Sequence, residues 1–121
     1  MVNDSVLSEM NHSSASLPAE ESELAESGLT LVDSKEVAVP AIQEAPIRFE
    51  VRLHQYVPVS DHEGTVISDL FILEVLNYSF EEAVFDAEKE YIDPISLDPA
   101  ARLAGTTYSH IANTIDLERP N

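Results

Sequence analysis

The sequence predicts a mainly β domain, a barrel with short helices at its mouth. Three observations carry that expectation. Residues 47–59 alternate: Ile47, Phe49, Val51, Leu53, Val57 and Val59 are apolar, and Arg48, Glu50, Arg52, His54 and Tyr56 stand between them. That is the period-two pattern of a half-buried strand. Residues 65–78 are apolar on both faces, with Val66, Leu70, Ile72 and Leu76 against Ile67, Phe71, Leu73 and Val75, as in a barrel strand covered on both sides. Between them, Pro58 and Ser60-Asp61-His62-Glu63-Gly64 make a hairpin loop. No βαβ alternation occurs, which argues against a Rossmann-type sheet.

The remaining elements follow in order. Residues 4–11 form a helix with Asp4 as N-cap and Val6, Leu7 and Met10 on one face. A polar loop, Met10 to Ala15, runs on to Pro18. Residues 18–27 read as a short acidic helix, Glu20, Glu21, Glu23 and Glu26 around Leu24 and Ala25, closed by Gly28. Pro40 and Pro46 mark extended connecting chain. The first 46 residues hold nine acids and one base, Lys35, so this segment is expected to be solvent-facing helix and loop. After the hairpin come a short acidic helix or turn at 81–87 and a last strand on Ile111, Ile115 and Leu117. The organisation is thus one domain, 1–121, with a helix/loop segment at 1–46 and a hairpin, short helix and closing strand at 47–121.

Composition narrows the function. There are 23 acids against six bases, a net charge of −17. Such a surface repels nucleic acid and anionic membranes, and it suits life in high salt. Without cysteine there is no disulfide, thiolate nucleophile or Cys-based metal site. No signal peptide and no apolar run of membrane-spanning length is legible, so a soluble cytoplasmic protein is expected. His54 and His62 flank the hairpin with Asp61 and Glu63, but exposed turn residues of this kind are poor evidence for a metal, and none is expected. Hydrolytic motifs are absent, and a pair such as Glu81-Glu82 has no specificity among so many acids.

The informative stretch is 92–108. Asp93-Pro94 makes a turn; Asp98 is a good N-cap, Pro99 fits the first helical position, and Ala100 to Ala104 are helix formers stopped by Gly105. Arg102, Gly105 and Tyr108 then gather near a helix end. Guanidinium, bare backbone and aromatic ring suit a flat, phosphorylated ligand. The same residues also make a plain helix stop with a packed tyrosine, and the residue types alone leave both readings open.

The stretch resembles a known family. Arg102-Leu103-Ala104-Gly105-Thr106-Thr107-Tyr108 is similar to the Arg-Leu-Gly-Gly-x-x-Tyr segment of the flavin reductase-like family, the FMN-binding split barrels. Glu74-Val75-Leu76 through Ala83-Val84-Phe85-Asp86 resembles its strand and turn of type Gly-Glu-Val…Glu-Ser-Val-Leu-Asp. Upstream, Met10-Asn11-His12-Ser13-Ser14, Ser27-Gly28-Leu29-Thr30 and Ser34-Lys35 through Ala45-Pro46 match further family segments in order, and Val2-Asn3 resembles the tail of a family strand.

The resemblance implies a partial FMN-binding split β-barrel and an NAD(P)H:flavin oxidoreductase, with FMN as cofactor and NAD(P)H as a transient hydride donor. Carried over by position, Asn11, Ser13 and Ser14 line the flavin's polar edge, Arg102 and Gly105 shape the floor, and Tyr108 lies against the ring or ribityl chain. No catalytic residue is implied. Two departures stand out: Asp69 and Leu70 where the family carries His, and Ala104 for a glycine. An acid beside the ring disfavours reduced, anionic flavin. The family's N-terminal strands are not matched, so a C-terminal fragment is expected, working as a homodimer in the complete form or with a chain carrying the other half. The alternative is a non-catalytic or vestigial β-rich interaction module without flavin binding. A small acidic binding module unrelated to flavins is a third reading.

Overall fold

A computed structural model describes residues 1–25 and 27–120. The architecture is mainly β, as expected, and the described residues form four two-stranded antiparallel sheets and two helices. Helix α1 spans Asp4–His12, and β1 (Leu31–Val32) pairs with β2 (Ala41–Ile42). The long hairpin is β3 (Ile47–Ser60) and β4 (Val66–Phe80). A single 3-10 turn at Glu82–Val84 leads to β5 (Phe85–Asp86), which pairs with β6 (Tyr91–Ile92). Helix α2 (Pro94–Leu97) precedes β7 (Ala101–Arg102) and β8 (Tyr108–Ser109), another hairpin.

The core sits at the root of the long hairpin. Ile47, Val84 and Leu97 are buried there, with Phe80 and Ile92 packed against them. Ile47 opens β3 and Phe80 ends β4, and the two are register partners. Phe80 also stacks on Phe85, ring centroids 4.8 Å apart. The backbone closes the same knot: Glu81 N–H donates to the Pro46 carbonyl at 2.9 Å and Asp93 N–H to the Val84 carbonyl at 3.0 Å. The root therefore holds most of the buried apolar side chains, and Val6 of α1 is buried apart from it.

Glu50 organises the root from its other side. Glu50 is a buried residue, and its carboxylate accepts the backbone N–H groups of Lys35 and Glu36 and the side-chain amide of Asn77, its register partner. These donors, the Glu36 N–H foremost, hold the Glu50 carboxyl below its ordinary value, because they favour the ionised form. One charge thereby fixes the 34–37 loop against the hairpin.

Further out, the hairpin has no cover. Every residue of β4 from Val66 to Val75 is exposed. Phe49, Leu53, Phe71 and Tyr78 are each at least half exposed. The strand expected to be covered on both sides is thus bare in this chain. Cross-strand pairs Phe49–Tyr78, Val51–Val75, Leu53–Leu73 and Tyr56–Phe71 build one apolar ladder continuing the Ile47–Phe80 rung outward. A bulge at His54 shifts the phase, placing Tyr56 on the ladder face and Val57 on the opposite one. The expected alternation ran unbroken through Val59; the structure breaks it at this one residue. Asp61 shapes the tip, its carboxylate accepting from Glu63 and Thr65 N–H at 2.9 Å each.

Four further expectations are corrected. The helix foreseen from Pro99 to Ala104 lies one Asp-Pro earlier: Asp93 caps α2 by accepting from Ile95 and Ser96 N–H, and Pro94 takes the first turn. Asp98 ends that helix, in the left-handed region at φ 43°. Both Asp-Pro pairs carry the same start signal, and only the first is followed by a side chain that the core takes in, Leu97. Residues 18–25 and 27 form isolated turns and no helix, such as Glu21 N–H to the Pro18 carbonyl; Glu26 lies outside the described residues. Clustered like charge explains this. No strand forms at 110–120, where Ile115 and Leu117 are more than 80% exposed (82% and 87%). At α1 the N-cap position is Asn3, with Asp4 the first helical residue.

Candidate functional site

Helix α1 has two working faces. Val6, Met10 and Ser13 turn inward, lining a small apolar cavity of about 230 Å³ with Leu24, Leu29 and Ile42. Asp4, Leu7, Ser8 and Asn11 share the other face, spaced i, i+3, i+4 and i+7. Leu7, expected beside Val6, belongs to this second face. Thr106 and Tyr108 of the β7–β8 hairpin stand opposite and close an open groove of about 450 Å³.

The hairpin is built to present them. Arg102 pairs with Tyr108, and Leu103 N–H donates to the Thr107 carbonyl at 2.9 Å. Gly105 turns the chain at φ 64°, a conformation that a side chain resists. The start of the chain is tied to the same hairpin, with Ala100 N–H donating to the Val2 carbonyl at 3.1 Å and Asn3 bridging Pro99. That tie places α1 against β7–β8.

The structure brings Asn11 and Tyr108 to one groove, and Gly105 forms the turn beside it. Ser13 and Ser14 turn back on their own helix, their hydroxyls donating to the Met10 and Asn11 carbonyls at 2.9 and 2.7 Å. Arg102 is exposed on β7 and is not among the lining residues. Asp4, Leu7, Ser8 and Thr106 were not anticipated; the helical spacing leading back from Asn11 is the signal that would have found the first three. Asp69, expected beside the ring, lies far along the hairpin, where its carboxylate accepts the Tyr56 hydroxyl at 2.7 Å. That hydrogen bond pushes the Tyr56 phenol up.

The groove offers hydroxyl and amide groups, one aliphatic wall and one aromatic wall. It fits a flat ring with a hydroxylated chain. It holds no guanidinium or ammonium, and one carboxylate, Asp4, stands in it. Among the described residues no group of His, Asp and Glu is arranged to hold a metal ion, and no helix is long and apolar enough to cross a membrane.

The model of the flavin reductase-like domain matches residues 1–101. The chain belongs to the flavin reductase-like family. The chain is 39% identical over 118 residues to the Bacillus subtilis protein YwrF, spanning 98% of this chain and 58% of that one. Nitrilotriacetate monooxygenase component B from Bacillus cereus superposes with a TM-score of 0.89 at 31% identity, over 97% of this chain and 57% of its own. A split-barrel protein from Shewanella frigidimarina gives a TM-score of 0.81 at 19% identity, over 98% and 58%, a likeness of fold alone. The chain thus spans little more than half the length of these relatives.

Proposed function

We propose that this chain supplies one wall of an FMN site in a flavin reductase-like oxidoreductase, the wall made by α1 and the β7–β8 hairpin. The observation that carries this reading is the meeting of Asn11 and Tyr108, both singled out by the family resemblance, across one groove of suitable size. FMN, when bound, would supply the redox chemistry, as an acceptor of hydride from NAD(P)H. The chain's own residues bind and orient. Tyr108 offers a ring face, Asn11 and Ser8 offer hydrogen bonds to the polar edge, and Leu7 keeps water from one side. Ser14, Ser13 and Arg102 lie outside the lining. The phosphate is held by groups other than the lining residues, which carry no base.

Further polypeptide completes the unit. The chain exposes 9875 Å², against about 6,450 Å² for a compact monomer of 13.3 kDa. The surplus is on the scale of an obligate interface, and the ladder of β3 and β4 is its apolar part. A second copy, or a chain carrying complementary strands, covers it in the working form. Sedimentation of the purified protein tests this: a species larger than the monomer, dissociated by Leu73→Glu, is expected, and a stable monomer at all concentrations rejects it.

The flavin site is tested by titrating FMN and following quenching of its fluorescence, at low and at molar salt. Saturable binding weakened about tenfold or less by Tyr108→Ala is expected, in line with the worth of one aromatic contact. A folded protein that leaves FMN fluorescence unquenched at both salts rejects the reading. The lone carboxylate in the groove would then favour the second reading, a flavin-free interaction module using the hairpin.

A further inference from the structure

The root of the β3–β4 hairpin is apolar on its core face and polar on the other. The polar face has two rungs, Arg48 opposite Ser79 and Glu50 opposite Asn77. Such a face is ordinarily solvated. Here the β1–β2 ribbon and the loop after β1 lie against it and close a pocket of about 420 Å³. Val32 and Ala41, register partners in the ribbon, give it an aliphatic wall, and Lys35 and Gln43 join Arg48 and Ser79 in its lining. Two of the six bases of a chain with a net charge of −17 thus share one concavity. Among the described residues neither has an ion-pair partner, whereas Arg52 and Lys89 are paired with Glu74 and Asp86. Glu50 lines the same pocket, but its carboxylate is engaged elsewhere, by the Lys35 and Glu36 N–H groups at 2.9 and 2.6 Å and the Asn77 amide at 2.9 Å. It fixes the backbone of Lys35 and leaves both cationic heads available.

We propose that this pocket binds a phosphate group, with the half-buried Arg48 as its fork and Lys35 as the second charge. Two cations match the roughly two negative charges that a phosphate monoester carries at neutral pH, where a carboxylate needs only one. The planar guanidinium takes two phosphate oxygens side by side, the ammonium acts as a point charge, and the Ser79 hydroxyl and Gln43 amide are further donors. The pocket is larger than a phosphate alone, and Val32 and Ala41 suit a small apolar or ring-bearing group on the ester. Asp33, also in the lining, opposes an anion and limits the affinity. The pocket is apart from the groove of α1 and β7–β8. Along β2 and just beyond it, Ala41 and Gln43 line this pocket and Ile42 between them lines the cavity under α1, so the ribbon separates the two. The proposal therefore stands without the flavin reading.

Calorimetric titration at neutral pH and low salt tests this, with phenyl phosphate, inorganic phosphate and phenol as probes. Phenyl phosphate is expected to bind and phenol to give no heat. Arg48→Gln is expected to weaken phenyl phosphate about five- to tenfold, as for loss of a charged hydrogen-bonding partner. Asp33→Asn is expected to tighten it about twofold, because an exposed like charge is removed. Opposite signs from two neighbouring substitutions are what a damaged fold does not produce. Inorganic phosphate binding as well as phenyl phosphate supports a site for the free ion, and weaker binding supports a site for an ester. Tyr108→Ala, in the flavin groove, is expected to leave these titrations unchanged. A folded protein that binds neither anion overturns the proposal, and so does an Arg48→Gln variant that binds phenyl phosphate as wild type does. Equal losses in Tyr108→Ala and Arg48→Gln also overturn it, since the anion would then sit in the groove. Failure of the protein to bind FMN rejects the flavin reading alone and leaves each of these comparisons intact.

Discussion

The root of the β3–β4 hairpin and its outer half contain similar side chains put to opposite use. At the root, Ile47 and Phe80 face each other across the strands and are enclosed by Val84, Leu97 and Ile92. A few rungs out, Leu53 faces Leu73 in the same antiparallel ladder, and both are about half exposed, at 57% and 49%. Strand pairing is therefore not what separates the two regions. Enclosure is: third elements reach the root, whereas along the outer rungs each strand touches only its partner. A two-stranded ribbon is marginal in water by itself, so the outer half is ordered by its root and by whatever covers it.

The largest effect that can break this comparison is truncation at the two levels. Ile47→Ala is expected to cost about 2–5 kcal/mol in urea unfolding of the chain, as for a buried aliphatic residue that leaves a cavity. Leu53→Ala is expected to stay within about 0.5 kcal/mol in the same chain, as for an exposed position. Equal losses would mean that the outer rungs are enclosed in solution. Next comes the charge that pins the root. The Glu50 carboxyl is held below its ordinary value, so its contribution is present above the unfolded value and lost as pH falls through the folded one. Melting of wild type and Glu50→Gln from pH 7 to 3 should show a deficit for the variant at neutral pH that closes in acid. Comparison of the two proteins removes the opposite, shared effect of relieving a net charge of −17.

A smaller effect tests the groove. Gly105→Ala places a side chain at φ 64° in the β7–β8 turn and is expected to cost about 1 kcal/mol. The added Cβ meets nothing within 4 Å, so the cost is conformational alone. A loss several times larger would show that the turn is packed in solution. The smallest effect lies on the arm. Arg52 and Glu74 form an exposed ion pair at 2.8 Å, and Glu74→Gln is expected to cost about 0.2–1 kcal/mol, vanishing in molar salt.

The hairpin was legible because alternation over many residues is a strong signal, and Ser60 to Gly64 broke it cleanly. The family segments were legible for another reason: residue types in order survive changes in length and charge. What the sequence hid depends on partners in space. Asp93-Pro94 and Asp98-Pro99 carry the same start signal, and packing of Leu97 decides between them. Ile115 and Leu117 read as a strand because they are apolar, yet no strand among the described residues lies against them. Of the six residues assigned to the flavin by resemblance, Asn11 and Tyr108 share the groove and Gly105 turns beside it. The hydroxyls of Ser13 and Ser14 are taken by carbonyls of their own helix, a local competition that residue type alone does not disclose.

The bulge at His54 gives the arm slack in length. Leu53 pairs with Leu73 and Gln55 with Ile72, so His54 has no partner across the ribbon. A gene that lost this one codon would encode a hairpin with every other pairing in place and each side chain on its present face. Loss of a paired residue such as Leu53 would draw His54 into the vacated rung, exchanging an aliphatic side chain for an imidazole without shifting the rest. Lineages carrying this arm can therefore differ by one residue here and keep the same ladder, a tolerance that regular strands, in which a single deletion reverses every face beyond it, do not have.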